Sequence, residues 1–285
     1  MYLLFDIGGT KMRLALSDGE KLSESVILPT PQKFEEGISL FIKTVKELTK
    51  GEKLKLSVGG IRRLDKTKSM LVPDFRLPDW SGNPLKEKLV EVTSAPVYLE
   101  NDTALVGLGE ALQGAGKGFR IVAYLTVSSG VGGVRIVEGK IDKNIYGFEP
   151  GHQIIDLDWS KHPELKDLEK EGFGQLEAYI SGVSLEKRFG KLPKDINDEV
   201  LWDEVEQILA FALKNTVVYW SPEVIVLGGG MFGSPGISID KVKNKLEKTL
   251  KIFPEIPKIK KAELGDIGGL YGSLYYLKQL KKSTP

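Results

Sequence analysis

Asp6-Ile7-Gly8-Gly9-Thr10-Lys11 ends one apolar run, Tyr2 to Ile7, and begins another, Lys11 to Ser17. Short apolar runs joined by a glycine turn read as a hairpin, and the turn Asp18-Gly19 adds a third strand over Glu20 to Leu28. The turn carries chemistry as well. Asp6 puts a carboxylate at a strand end, beside two glycines whose backbone N–H groups can approach an anion closely. A phosphate suits such a turn, and Gly-Gly serves an ordinary hairpin equally well.

The same plan returns later in the chain. Ile121 to Val127, the turn Ser128-Ser129-Gly130-Val131-Gly132-Gly133, Val134 to Val137 and then Glu138-Gly139 repeat strand, glycine turn, strand and acidic-Gly turn. We read this as an internal duplication. Two glycine turns at matching places can clasp a polyphosphate from both sides of a cleft. The chain has no Gly-x-x-x-x-Gly-Lys-Ser/Thr sequence and no Gly-x-Gly-x-x-Gly opening a helix, so P-loop and Rossmann readings lose their signatures. A third glycine run, Gly228-Gly229-Gly230, follows the apolar strand Val224 to Leu227; it admits a flat group such as adenine, or close strand–helix packing.

Around these turns, helix and strand alternate. Phe34, Ile38, Phe41, Ile42, Val45 and Leu48 recur at helical spacing and stop at Gly51. Strands are predicted over Leu54 to Val58 and Pro96 to Glu100, with a polar loop from Asp65 to Asn83 and a helix from Pro84 to Val92 between them. Further helices follow: one carrying Leu105, Leu108 and Leu112, then Gly174 to Phe189, Asp198 to Trp220, Ser238 to Leu250 and Gly268 to Lys281. The class is α/β. Duplication with alternation predicts two similar α/β lobes around a cleft: residues 1–103 with the C-terminal helix 267–285 in one, residues 104–266 in the other.

Composition excludes several function classes. The 285 residues carry 40 Lys+Arg against 39 Asp+Glu, a net charge of +1, so the basic excess behind sequence-independent nucleic-acid binding is missing and no nucleic acid is expected as partner. With no cysteine there is no disulfide, no thiolate nucleophile and no cysteine-ligated zinc or iron–sulfur site. Met1 to Phe5 lack a basic region and are too short for a signal peptide or a membrane span, so we expect a cytoplasmic protein without membrane attachment.

Six segments, in order, carry a resemblance: Asp6 to Lys11; Glu100-Asn101-Asp102; the Thr126 to Gly133 turn; Glu149-Pro150-Gly151-His152; Glu177 ahead of Ser181-Gly182; and Leu227 to Gly230. Together they resemble the ROK family of sugar kinases and repressors over nearly the whole chain. The resemblance implies the actin-like, hexokinase-type ATPase fold, with ribonuclease H-like duplicated lobes. It implies that Asp102 is the catalytic base, with Asn101 beside it on the sugar; the other reading of Asn101-Asp102-Thr103 is a helix cap. Glu149, His152 and Glu177 fall where the family contacts sugar. A solvated helix face is the alternative for Glu177, and a structural role for His152, the only histidine besides His162. ATP phosphates are expected on Gly8, Gly9, Thr10, Ser129 and Gly130, with Lys11 and Arg13 as added donors and Gly228, Gly229 and Gly230 near the base. Asp6 is expected to hold Mg²⁺, directly or through water. The resemblance also implies a homodimer, although no stripe of residues marks an interface.

The chain departs from the family in three places. Many members follow the Gly-His pair with a cysteine cluster that binds zinc, and here that site cannot form. Gly59-Gly60-Ile61-Arg62-Arg63-Leu64-Asp65 stands where relatives have Gly-Pro, and Arg76 stands where an Asn often touches sugar. Arg63 is therefore a candidate substrate residue, the alternative being that these arginines face solvent or pair with carboxylates. The expected activity is transfer of the γ-phosphate of ATP to a hydroxyl, most simply the 6-hydroxyl, of glucose or a similar hexose. The alternatives are an N-acylmannosamine or N-acetylhexosamine kinase, or a non-catalytic sugar-binding regulator. Only five residues precede Asp6, so the helix-turn-helix domain of a repressor is not expected.

Overall fold

β1 (Tyr2–Ile7) is buried along five of its six residues, as a strand with neighbours on both edges and both faces covered must be. It pairs antiparallel with β2 (Lys11–Ser17) through the glycine turn, and parallel with β4 (Leu56–Ile61). β3 (Val26–Pro29) continues the sheet beyond β2 and β5 (Val97–Asn101) beyond β4, giving the order β3-β2-β1-β4-β5. This computed structural model describes residues 1–74, 76–156 and 174–283.

Two layers cover that sheet. On one face lies α1 (Phe34–Thr49), whose Phe34, Ile38, Phe41 and Val45 join Leu3, Phe5 and Leu14 in one core; the Phe5 and Phe41 rings meet edge to face at 5.2 Å. α2 (Leu85–Thr93) adds Leu85 and Leu89 to that core. On the other face Leu4, Ala15 and Val58 pack against Leu270, Leu274 and Leu277 of α8 (Gly268–Ser283). α8 also lies against α3 (Asp102–Leu112), backbone to backbone: a Cβ on Gly272 would sit 1.8 Å from Leu105 O, and one on Gly109 2.5 Å from Gly268 O. That packing moves the division between the units. The first is Met1–Gly114, Lys143–Gly147 and the chain from Leu264 onward, the second Ala115–Asp142 and Phe148–Glu263, so α3 stays with the first rather than opening the second as expected.

The second unit repeats the first. β6 (Ile121–Val127) pairs antiparallel with β7 (Val131–Val137) and parallel with β9 (Val224–Gly228); β8 (Lys140–Ile141) and β10 (Lys258–Lys261) take the edges. The order β10-β9-β6-β7-β8 is the first sheet's order with every strand replaced by its counterpart, and the senses agree. Its core joins Ala123, Leu125 and Val127 to Leu209 and Leu213 of α6 (Glu199–Trp220) and Val242 and Leu246 of α7 (Ile239–Thr249). The helix expected over residues 174–189 is two, α4 (Leu176–Ile180) and α5 (Gly182–Phe189). Ser181 between them is extended, and its side chain accepts the Ser184 N–H. Among the described residues no helix is long and apolar enough to cross a membrane.

Candidate active site

The parallel strands of the first sheet end in register. Ile7, Ile61 and Asn101 pair across β1, β4 and β5, so Gly8, Arg62 and Asp102 are the next residues along three adjacent strands. The carboxyl ends of such strands are where open α/β sheets place ligands. Asp6, one residue back, is 6% exposed and faces the start of α8, where a Cβ on Gly269 would lie 3.0 Å from Asp6 Oδ2; only glycine lets that helix begin so close. The strand register sets Asp6 opposite Arg13, whose Nη1 donates to Asp6 Oδ2 at 3.1 Å and whose Nη2 donates to Asp266 Oδ1 at 2.6 Å. Burial, with the charge of Asp102, pushes the Asp6 carboxyl up to about 7 against the pull of Arg13. The Arg13 hydrogen bond holds Asp266 below the usual carboxylate range.

Lys11 Nζ also lies on Asp266, at 3.3 Å. Both cations expected to serve phosphates therefore face carboxylates of their own chain. The Gly8 N–H is likewise committed, donating to Lys11 O at 2.9 Å to close the hairpin, while Thr30 Oγ1 donates to Gly8 O at 2.8 Å. Thr10 is exposed at the tip of this turn.

Asn101 and Asp102 divide two tasks that the sequence leaves merged. Asn101 is the cap of α3: its Oδ1 accepts the Ala104 N–H at 2.9 Å. Asp102 is the first helical residue, and its Oδ1 accepts the Thr103 N–H at 2.7 Å. A Cβ on Gly60 would come within 3.0 Å of Asp102 Cα, so β4 runs directly beneath it. Burial raises the Asp102 carboxyl above its ordinary value, and the Arg62 guanidinium opposes that rise.

Of the arginines, Arg62 is built into this row and Arg63 is not. Arg62 Nε donates to Asp74 Oδ2 at 2.7 Å, and the Asp74 side chain is wholly buried. Among the described residues Arg63 donates only to Pro73 O, at 3.3 Å. Arg76 covers Gly9: a Cβ there would touch Arg76 Cβ at 3.3 Å, with Arg62 Cδ at 4.0 Å. Asp74 and Asp266 are residues that sequence reading missed. Asp74 is a loop acid and Asp266 lies in the 3-10 turn Gly265–Ile267 ahead of α8; the partner arginine lies far off in sequence for Asp266 and across an irregular loop for Asp74.

In the second unit a carboxylate holds the glycine turn. Glu177 Oε2 accepts the Val131 N–H at 2.6 Å, Ser128 N–H donates to Gly130 O at 2.8 Å, and Gly182 N–H donates to Ser128 O at 2.7 Å. Ser129 is exposed at the tip. Glu149-Pro150-Gly151-His152 lies along β7, so close that a Cβ on Gly151 would be 2.3 Å from Val131 O. His152 Nδ1 is 2.6 Å from Gln175 Oε1, which sequence reading also missed; because Gln175 presents its oxygen, Nδ1 is the donor. Glu149 is exposed, and His162 lies outside the described residues. The third glycine run is partly packing. Gly228 sits on the Tyr124 ring, and Gly229, at φ 101°, against Val127 O, whereas a Cβ on Gly230 would meet nothing within 4 Å.

Among the described residues no group of three or more His, Cys, Asp or Glu side chains is placed to hold a metal. A magnesium ion arriving with nucleotide phosphates needs only one or two carboxylates, and buried Asp6 supplies a hard oxygen donor of that kind. The residues fit such an ion.

Comparison with known proteins gives concordant results. The ROK family profile matches residues 2–280. The N-acetyl-D-glucosamine kinase of Escherichia coli K12 is 30% identical over 96% of this chain and 98% of its own. The ROK hexokinase of Thermus thermophilus superposes with a TM-score of 0.78 at 25% identity, covering 99% of both chains. A ROK glucokinase from Streptomyces griseus, solved with glucose and AMPPNP, superposes at 0.74 and 22% identity over 98% of this chain and 99% of its own. The two duplicated sheets are thus those of the actin-like, hexokinase-type ATPase fold.

Proposed function

This chain belongs to the ROK family and is a sugar kinase of it, and from that premise we propose that it transfers the γ-phosphoryl group of ATP to the 6-hydroxyl of glucose or a similar hexose, with Asp102 as general base. The observation that carries the reading is the division of labour at the start of α3. Asn101 makes the cap, while Asp102, half-buried and with a raised pKa at the end of β5, commits only Oδ1, to Thr103; among the described residues its Oδ2 accepts no hydrogen bond. A partly desolvated carboxylate with one oxygen uncommitted is suited to accept a hydroxyl proton.

In the step proposed, the acceptor oxygen forms a bond to the γ-phosphorus while the bond from phosphorus to the β,γ-bridging oxygen breaks. The hydroxyl proton passes late to an Asp102 carboxylate oxygen, and ADP departs. Raised basicity helps Asp102 accept that proton, and the field of Arg62, which favours the carboxylate, opposes the rise. Asn101 orients a neighbouring hydroxyl through its amide nitrogen. Glu149, His152 and Glu177 are assigned to the sugar. With Nδ1 donating to Gln175, His152 is held in the tautomer whose Nε2 accepts from a hydroxyl. Arg63 is a weaker candidate, at the margin of the sugar. Backbone groups of Gly8, Gly9, Thr10, Ser129 and Gly130 are assigned to phosphates, and Gly228, Gly229 and Gly230 to the nucleoside, with Gly230 the most open. Asp6 would hold Mg²⁺, which neutralises phosphate charge when bound; Lys11 and Arg13 fix the acids around it.

A second reading, an N-acetylhexosamine as acceptor, is favoured by the 30% identity to the E. coli N-acetyl-D-glucosamine kinase. The test is ADP release with Mg²⁺-ATP against glucose, mannose, fructose, glucosamine, N-acetylglucosamine and N-acetylmannosamine. Turnover on a plain hexose upholds the first reading and preference for an N-acyl sugar the second. No turnover on any sugar by folded protein overturns the proposed reaction.

A further inference from the structure

We propose that Arg62 is a further catalytic residue, an arginine supplied by the chain itself that holds the phosphoryl group in transit at the Gly8-Gly9 turn, with Asp74 as the residue that positions it. The proposal rests on the kinase reading above and names a contact that reading does not include. Place comes first. Gly8, Arg62 and Asp102 follow the last paired residues of β1, β4 and β5, so Arg62 stands in the row between the phosphate turn and the base. The acceptor oxygen and the γ-phosphorus must meet between those two. Its Cδ is 4.0 Å from the position of a Cβ on Gly9, and Arg76 crowds the same point at 3.3 Å, so two cationic side chains converge on this turn.

Mode of attachment comes second. Asp74 holds Arg62 by Nε alone, at 2.7 Å, and the Asp74 carboxylate is fully buried; its Oδ1 accepts the Arg76 N–H at 2.8 Å. Among the described residues Arg62 makes no other hydrogen bond, and its side chain keeps 21% of its surface open. The two Nη groups, the fork that matches phosphate oxygens in pairs, are left for a ligand. A purely structural arginine on a buried acid is expected to commit that fork to the carboxylate. In phosphoryl transfer the charge spreads over three equatorial oxygens, and a fixed guanidinium there acts on the transition state more than on either ground state. Arg62 itself takes no proton and forms no bond. An acidic or N-acyl sugar group is the rival ligand for the same fork, and the two differ in what they do to kcat and KM.

The experiment uses the full-length protein with its best sugar from the panel. Arg62→Ala is expected to lower kcat by about 10²-fold or more, to leave the sugar KM within about threefold, and to regain part of kcat on adding guanidinium ion. It should also lose the trapping of ADP with aluminium fluoride and sugar expected of wild type. Because Arg62→Ala leaves Asp74 buried without its partner, Arg62→Met combined with Asp74→Asn is measured alongside. It should melt near the wild-type temperature and show the same kcat loss, and Asp74→Asn alone should show a smaller one. A raised sugar KM with kcat intact overturns the proposal in favour of the rival ligand, and unchanged kinetics in the double variant overturns it outright. If wild type phosphorylates no sugar, the kinase reading has failed separately. Arg62 is then judged by calorimetry: Arg62→Ala should reduce AMPPNP affinity relative to ADP, and an unchanged ratio overturns it.

Discussion

The two units share one sheet topology and differ in what they set behind the glycine turn. In the first, the pair next to the turn's closing rung is Asp6 and Arg13; in the second, the pair at that place is Thr126 and Gly132. One duplicate buries an acid and a base and surrounds them with Asp102, Arg62 and Asp266, while the other is neutral at the rung and braced by the single carboxylate of Glu177. The backbone tolerates either, because the ladder hydrogen bonds are made by main chain alone. Charge was free to concentrate in one copy, and there burial makes it expensive.

The largest effect belongs to the charged copy's base. Asp102→Asn should lower kcat by at least ~10²-fold, toward ~10⁴-fold at the upper limit of general-base catalysis, with nucleotide affinity within about twofold of wild type. Steady-state kinetics and calorimetry on the same preparation check it. Near-normal turnover would remove the base from the mechanism and make the contrast between the duplicates one of folding only.

Next comes the cost of the buried acid. Asp6 titrates near 7 in the folded chain against 3.8 for the free group. Below the lower value both states are protonated and the residue is neutral to stability. Between the two the folded state holds the extra proton, so stability falls as pH rises, and above about 7 the full penalty stands. At ~1.4 kcal/mol per pKa unit the upper bound is on the order of 4 kcal/mol. Without nucleotide, Asp6→Asn should therefore be more stable than wild type at pH 8, and this gain should vanish near pH 3. Its counterpart Thr126→Val should change little, with no pH dependence. Urea midpoints across pH test the pair, and a pH-independent Asp6→Asn would break the comparison.

What the sequence shows of this contrast, and what it hides, follows from the range of each signal. Both hairpins, the helical stripe from Phe34 to Leu48 and the Asn101-Asp102 pair are local patterns and are legible in the chain. Asp266 meets Arg13 across 253 positions and Asp74 meets Arg62 across an irregular loop, so no periodicity points to either. β10 escapes because three of its four residues are lysines, a charge pattern that protects an edge strand and hides its apolar alternation. The break at Ser181 is invisible because Leu176, Tyr179, Ile180 and Leu185 keep an apolar pattern straight through it. The unit boundary falls past α3 because Gly109 and Gly272 permit a close helix crossing that helical spacing cannot show.

A smaller effect probes the neutral copy. Gln175→Leu removes the acceptor of the His152 Nδ1 proton, and losing one such hydrogen bond is worth about 1–1.5 kcal/mol. The sugar KM should rise by about tenfold with kcat nearly kept, since His152 is assigned to binding. Nitrogen shifts of the imidazole report the tautomer directly. A wild-type spectrum with Nε2 protonated would contradict the arrangement whatever the kinetics show.

The smallest effect lies at the break between α4 and α5. Ser181 caps α5 by accepting the Ser184 N–H at 3.2 Å, and its neighbour Gly182 donates to Ser128 O in the second glycine turn. Ser181→Ala should cost about 1 kcal/mol of stability, the ordinary value of a helix cap. If the cap serves only the helix, that loss is the whole effect and nucleotide affinity is untouched. If the second turn is held in place through Gly182, as its hydrogen bond indicates, the variant should also bind AMPPNP more weakly, by about two- to threefold, while Asp6 and Asp102 titrate as before. The first copy's turn leans on no helix cap: Gly8 N–H closes it on Lys11 O, and Thr30 Oγ1 holds it from the end of β3 through Gly8 O. Loss of stability without loss of affinity would show that the neutral turn, like the charged one, does not depend on a helix cap.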